Sequence, residues 1–221
     1  MTAAPVRVLV VDDDPLVRRA LHTMLDGHPG VEIVGEVGDG HDVPAAVSGL
    51  APQVVLMDIR MPKVDGLTAT EALRRTPDPP EVIVLTTFDT DEHVLRALRA
   101  GAAGFVLKHT PPAQIVDAIL RVAAGETMLS PSVLRQLVEH VTARPDGRRE
   151  NALAELRRLS AREREVAACI ADGATNAEIA ARLFMSVATV KSHITRILTT
   201  LDLTNRVQIA LLAHDAGREQ G

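Results

Sequence analysis

Neither tryptophan nor tyrosine occurs among the 221 residues, and phenylalanine occurs only three times. Any core must therefore be aliphatic, and a hydrophobic share of 46% is enough to build one. One cysteine, Cys169, excludes an internal disulfide and every metal site that needs several thiolates. It lies in an apolar helical pattern and reads as a buried structural thiol. No apolar run approaches the ~18 residues that cross a bilayer. Met1-Thr-Ala-Ala-Pro5 offers no basic stretch ahead of a long apolar core, so no secretory signal is expected. A cytoplasmic protein without a membrane partner follows.

The net charge of −5 is unevenly spread. Residues 1–141 carry 12 Lys and Arg against 19 Asp and Glu, a balance of −7; residues 142–221 carry 12 against 10, or +2. An acidic front and a mildly basic back suggest two domains, the second facing a polyanion. An excess of +2 is small evidence on its own.

What is present starts with Val54-Val-Leu-Met57, a short strand buried on both faces, which ends in Asp58. Pro62 and Asp65-Gly66 then force a loop. Alone, Asp58 reads equally as a turn-initiating residue. Its surroundings decide otherwise. Val6–Val11 is a second apolar run, followed at once by Asp12, Asp13 and Asp14. Asp14 before Pro15 suits a helix N-cap, and Leu16, Val17, Ala20, Leu21 and Leu25 form that helix's apolar side. Capping leaves the adjacent pair Asp12 and Asp13 unexplained.

Strand and helix then alternate. Strands are predicted over 31–37, 82–85 and 104–107, and helices over 42–50, 67–75, 93–100 and 112–123, with Thr110 as N-cap of the last. Five such units predict an α/β fold with a doubly wound, five-stranded parallel sheet between helices. In that fold all strand ends share one edge, where active crevices lie. Asp12 and Asp13, Asp58, Thr86 and Lys108 would meet there. Clustered carboxylates repel, and a hard divalent cation such as Mg²⁺ relieves them. Lys108 and Thr86 could hold phosphate oxygens. No Gly-rich cradle is present, so the site suits a small phosphoryl group on a carboxylate rather than a nucleoside triphosphate.

Val10-Val-Asp-Asp-Asp-Pro15, Met57-Asp-Ile-Arg-Met-Pro62 with Asp65-Gly66, Leu85-Thr86-Thr87 and Gly104-Phe-Val-Leu-Lys108 together resemble a response-regulator receiver domain. The resemblance implies strand order 2-1-3-4-5. It implies Asp58 as phospho-acceptor, and Asp13, Asp58 and the Arg60 backbone carbonyl as Mg²⁺ ligands, with Asp12 acting through water. It implies Thr86 and Lys108 as phosphoryl contacts, with Phe105 as the aromatic that turns inward when Thr86 moves. Two residues depart from close relatives: Asp14 stands where His is frequent, and His109 where an acidic residue is common.

Ser130-Pro131 predicts another helix start, carrying Val133, Leu134, Leu137 and Val141. Arg144-Pro-Asp-Gly-Arg-Arg149 reads as a solvated linker. Beyond it, Ser160-Ala-Arg-Glu163 and Thr175-Asn-Ala-Glu178 are capping boxes, and Ser186 caps a third helix. Val190, Ile194, Ile197, Leu198 and Leu201 give that helix its apolar face. A short helix, a brief join at Phe184-Met-Ser186 and a longer helix make a helix-turn-helix. Thr189, Lys191, Ser192, His193, Thr195 and Arg196 lie on the other face, as ordinary solvated positions or as a groove-reading surface. A last helix over 205–214 carries more apolar residues than one face needs, so a partner could bury the excess.

Leu159-Ser-Ala-Arg-Glu-Arg-Glu-Val166, Gly173-Ala-Thr-Asn-Ala-Glu-Ile-Ala180 and Ser186-Val-Ala-Thr-Val-Lys-Ser-His193 resemble the LuxR-type helix-turn-helix. Thr199-Thr-Leu-Asp202 departs from it, lacking the usual Lys and Gly. The whole chain is similar to NarL/FixJ-type response regulators. The expected layout is a receiver over 6–125, a linker with a helix over 126–154, and a DNA-binding domain over 155–217. The resemblance implies DNA contacts within 175–194 and just beyond, at Thr175, Ser186, Thr189, Val190, Lys191, His193 and Arg196. It implies dimer contacts at Val207 and Leu211. The expected partners are a histidine kinase, double-stranded promoter DNA and, once phosphorylated, a second copy of the chain. Other readings are a regulator that switches without phosphorylation, an interaction module that no longer binds DNA, or a phosphatase using Asp58. A phosphatase would need an acid–base Asp two residues after Asp58, where Arg60 stands.

Overall fold

Alternate residues of each central strand go to opposite faces of one sheet, and both faces are dry. The computed structural model describes residues 4–86, 91–126, 128–129 and 148–217. The chain divides into two compact units, Met1–Leu134 and Arg135–Gly221. In the first, the strands are β1 (Val6–Val11), β2 (Val31–Val37), β3 (Val54–Asp58), β4 (Glu81–Thr86), β5 (Gly104–Leu107) and β6 (Met128–Leu129). They form one sheet of order β2-β1-β3-β4-β5-β6, and every pairing is parallel. The helices are α1 (Pro15–Leu25), α2 (Val43–Leu50), α3 (Gly66–Arg74), α4 (Asp91–Ala100) and α5 (Pro112–Ala123).

Val8, Val10, Val54, Leu56, Ile83 and Leu85 pack with Leu21 and Leu25 of α1 and Ile115, Ile119 and Val122 of α5. Leu9, Val11, Val55, Met57 and Val82 pack on the other face with Val43 and Leu73. Burying each of these side chains stabilises the fold by roughly 1.5–3 kcal/mol.

The structure alters several details. The sheet has a sixth, two-residue strand at its β5 edge, where only loop was expected. Leu16 is 75% exposed and Ala20 is exposed, because only Leu21 and Leu25 of α1 are buried against the sheet. Thr110 does not cap α5: Pro111 holds the N-cap position, with an extended backbone (ψ 141°). A residue before proline is pushed out of helical geometry, so the helix starts at Pro112. The helix expected from Ser130 lies outside the described residues.

The second unit holds α6 (Arg148–Arg157), α7 (Ala161–Ala171), α8 (Asn176–Arg182), α9 (Val187–Leu201) and α10 (Arg206–Gly217). Arg148 and Arg149 thus open a helix rather than a linker. Its core joins Leu159, Val166, Ile170, Ile179, Val190, Ile197 and Ile209. Ile194, Leu198 and Cys169 are only half-buried at its margin.

Both capping boxes form. In the first, the Ser160 N–H donates to Glu163 Oε2 at 2.8 Å and the Glu163 N–H donates to Ser160 Oγ at 3.3 Å. The Ser160 backbone bond, then its hydroxyl, hold the Glu163 carboxyl below its ordinary range. His193 and Arg196 add to this from α9. A carboxyl with a depressed folded pKa adds stability above its unfolded pKa and loses it as pH falls through the folded value. Glu163→Gln should therefore lower the unfolding midpoint at pH 7, and the deficit should shrink to nothing in acid, where the native Glu163 is also neutral. Ser160→Ala should cost about 1 kcal/mol in urea unfolding at neutral pH.

Candidate functional site

Register builds the first site. Val11 pairs with Met57, so the next residues, Asp12 and Asp58, lie side by side at the C-terminal edge. Thr86 pairs with Leu107, which sets Lys108 one step beyond. The Lys108 N–H donates to the Thr86 carbonyl at 2.8 Å. Carboxylate oxygens of Asp12, Asp13 and Asp58 lie within 4.8 Å of one another. Lys108 Nζ is 2.6 Å from Asp12 Oδ2 and 3.0 Å from Asp58 Oδ1. Asp12 is 1% exposed, Asp58 and Thr86 6% each, while Asp13 reaches solvent.

Charge in this pocket is only partly balanced. Burial raises the Asp58 pKa, the Lys108 ammonium offsets part of that, and Asp12 adds repulsion. Burial would lower Lys108, but its two carboxylates hold it above the ordinary lysine value. Asp12 Oδ2 is sealed from water and has no partner in hydrogen-bond geometry, though the ammonium is close. Three carboxylates beside one ammonium fit a hard divalent cation. Asp13 and Arg60 line an open groove of about 440 Å³ with Met61, Pro62 and Arg96.

The loop after β3 is drawn tight. The Arg60 N–H donates to Asp58 Oδ2 at 3.1 Å, and the Gly66 N–H to the Ile59 carbonyl at 2.9 Å. A Cβ on Gly66 would lie 1.9 Å from the Asp58 carbonyl oxygen, so only glycine fits. Asp65 caps α3 by accepting from the Leu67 and Thr68 N–H groups. Asp14 caps α1 as expected, accepting from the Leu16 N–H at 2.8 Å. Phe105 is completely buried, and His109 is exposed. Asp39, buried after β2, accepts from the Lys63 and Val64 N–H groups of the same loop. In sequence it is only half of an Asp-Gly turn pair.

The second site is the outer face of α9. Thr189, Lys191, Ser192, Thr195 and Arg196 are exposed there. Ser186 caps the helix, and its Oγ lies 2.8 Å from Thr189 Oγ1. Val190 does not belong to this face: it is 0% exposed and sits in the core, three residues after the outward Val187. His193 is half-buried rather than exposed, with Nδ1 sealed and without a hydrogen-bond partner. Thr175 serves as the cap of α8, its Oγ1 3.0 Å from Glu178 Oε2. Val207 is 6% exposed, because α10 turns it into the unit, while Leu211 is half-exposed.

A parallel sheet with an acidic pocket and a lysine at its C-terminal edge, followed by a helix-turn-helix, defines a signal receiver coupled to a DNA-binding unit. Comparison with known proteins agrees. The family described as "Response regulator receiver domain" matches residues 8–120, and "Bacterial regulatory proteins, luxR family" matches 157–213. The transcriptional regulatory protein LiaR of Bacillus subtilis is 40% identical over 209 residues, 95% of this chain and 97% of that protein. The response regulator VraR of Staphylococcus aureus is 34% identical over 208 residues, 94% and 96% of the two chains. Among solved structures, the response regulator ChrA of a heme-sensing two-component system aligns with TM-score 0.54 at 35% identity, covering 96% and 98%. A structure of two RcsB dimers bound to two parallel DNAs aligns with TM-score 0.55 at 26% identity, covering 97% and 100%. The chain belongs to the two-component response regulators that join a receiver to a LuxR-type DNA-binding domain, and it is a transcriptional regulator.

Gly66→Ala should destabilise the receiver by at least ~3 kcal/mol, the upper part of the range for overpacking. The added carbon has a backbone oxygen against it, which no side-chain rotation removes. Urea unfolding of the full chain checks this.

Proposed function

We propose that Asp58 accepts a phosphoryl group from a histidine kinase and that the resulting change of state controls binding of the second unit to promoter DNA. The carrying observation is Lys108 Nζ, placed between Asp12 and Asp58 in a cluster of three carboxylates. The N–P bond of a phosphohistidine breaks as an O–P bond to Asp58 forms. Lys108 then turns part of its charge to a phosphoryl oxygen, and the Thr86 hydroxyl donates to another. Asp13, Asp58 and the Arg60 backbone carbonyl would hold Mg²⁺, with Asp12 acting through water. The cation supplies charge neutralisation at the acceptor. Phe105, completely buried, follows Thr86 on this reading.

On this reading the receiver spans about 6–125 and the DNA-binding domain 155–217; β6 extends the receiver's sheet and α6 leads into the second unit. The output is binding rather than turnover of an external substrate. Exchange with a kinase and with DNA places the protein in the cytoplasm; no described helix is long and apolar enough to cross a membrane. Thr189, Lys191 and Arg196 contact phosphates and bases, and His193 reaches a phosphate through its outer edge. Ser186 and Thr175 hold the ends of the two helices. Phosphorylation promotes dimerisation, with Leu211 the more accessible of the two expected dimer contacts.

Sedimentation with Mg²⁺ tests the switch. Beryllofluoride should shift the wild type from monomer toward dimer and leave Asp58→Ala unchanged. A wild type that binds DNA fully without any shift would favour a phosphorylation-independent regulator. DNA titrations test the second face. Lys191→Ala should weaken binding and reduce the salt slope by roughly 0.9, the value for one phosphate contact. Val190→Ala should instead lower the unfolding midpoint of the second unit.

A further inference from the structure

Asp39 is a buried carboxylate that none of the chemistry above uses. It is 6% exposed and accepts three backbone N–H groups. One is local: the His41 N–H reaches Oδ1 at 2.9 Å and caps the 3₁₀ turn Gly40–Asp42. Capping that turn would account for Asp39 if the contact were alone. The other two come from 24 and 25 residues away in the chain. The Lys63 N–H donates to Oδ2 at 2.9 Å, and the Val64 N–H to Oδ1 at 3.2 Å. Both donors sit midway in the loop that leaves Asp58, whose two ends are already tied at Arg60 and Gly66. The neighbouring Gly40 lets the two backbones meet: a Cβ there would be 2.5 Å from the Val64 carbonyl oxygen.

We propose that Asp39 is a positioning residue that holds the β3–α3 loop, and through it Arg60 and the cation and phosphoryl side of the pocket, in working geometry. The proposal rests on the reading of Asp58 and its neighbours as that pocket. The residue type follows from the partners. All three are donors, and a carboxylate accepts without donating. An asparagine in either orientation turns an N–H₂ toward at least one of them. The His41 bond, ahead of the Lys63 and Val64 bonds, keeps the Asp39 carboxyl below its ordinary range although burial opposes this. The clamp is therefore charged throughout the neutral range.

The test is an Mg²⁺ titration of the full chain followed by amide NMR, beside hydrogen exchange of the Lys63 and Val64 amides and urea unfolding. Asp39→Ala should weaken Mg²⁺ about tenfold, the lower end for loss of a group that orients a ligand. Its Lys63 and Val64 amides should exchange faster, and Asp39→Asn should fall between. Leu25→Val, a buried change on α1, should lower stability and leave Mg²⁺ affinity unchanged, which separates positioning from general loosening. A wild-type Mg²⁺ affinity in Asp39→Ala overturns the proposal. If the wild type itself gives no Mg²⁺-dependent shifts, the pocket reading falls and takes the proposal with it. Should Asp39→Ala lose cooperative unfolding, the same comparison is made with Asp39→Asn.

Discussion

Everything at the sheet edge depends on one ammonium placed against two carboxylates. Lys108 Nζ lies 2.6 Å from Asp12 and 3.0 Å from Asp58, and the two acids are almost without solvent. Two like charges about 4 Å apart repel by ~4 kcal/mol at an effective dielectric of 20. Asp12, Asp13 and Asp58 contain three such pairs, and one lysine neutralises one charge. The pocket is thus left with an excess of negative charge in a poorly hydrated place. That imbalance makes it receptive to a divalent cation. On the proposed reading, a bound cation would let the pocket accept a phosphoryl group that its own carboxylates otherwise repel.

The sheet sets the stage for this by bringing together groups from three separate strand ends: Asp12 and Asp13, Asp58, and Lys108. The apolar runs of the central strands commit both faces to core, so the charged side chains of the site appear where those strands end. Parallel pairing brings all those ends to one side. The loop beyond Asp58 must then stay close enough to offer its backbone, and three separate ties keep it there: Asp58 to Arg60, Ile59 to Gly66, and Asp39 to Lys63 and Val64. Gly66 and Gly40 are where the chain needs no side chain, because backbone oxygen fills the space.

This explains what could and could not be read from the residues in order. Asp58 and Lys108 are legible because each follows an apolar run long enough to be a buried strand, and topology does the rest. Caps are legible because Ser160-Ala-Arg-Glu163 and Asp14-Pro15 are local chemistry. Asp39 is not, since two of its partners are more than twenty residues distant. The sixth strand is hidden by its length of two residues, which carries no periodicity. Val190 shows the limit of motif transfer. A helix-turn-helix string names a stretch, but the 3.6-residue turn decides which of its members face out, and Val190 faces in. Leu16 makes the same point on α1, where an apolar residue at helical spacing stays in solvent.

The second unit divides its labour along α9. Val190, Ile197 and Leu201 anchor the helix, leaving Thr189, Lys191, Ser192, Thr195 and Arg196 exposed. The cap refines this. Ser186 Oγ accepts from the Thr189 N–H at 3.1 Å and lies 2.8 Å from Thr189 Oγ1. Both hydroxyls thus sit at the positive end of the helix dipole. Lys191 and Arg196 supply only two full charges on this face. Coulomb attraction at a solvated surface is weak per charge and screened by salt. On the proposed reading, affinity comes from using two such faces at once, since linking modest contacts raises binding by orders of magnitude without a new bond. On that reading, a receiver that changes only the population of paired molecules would suffice to control DNA binding, because the face of α9 is already built.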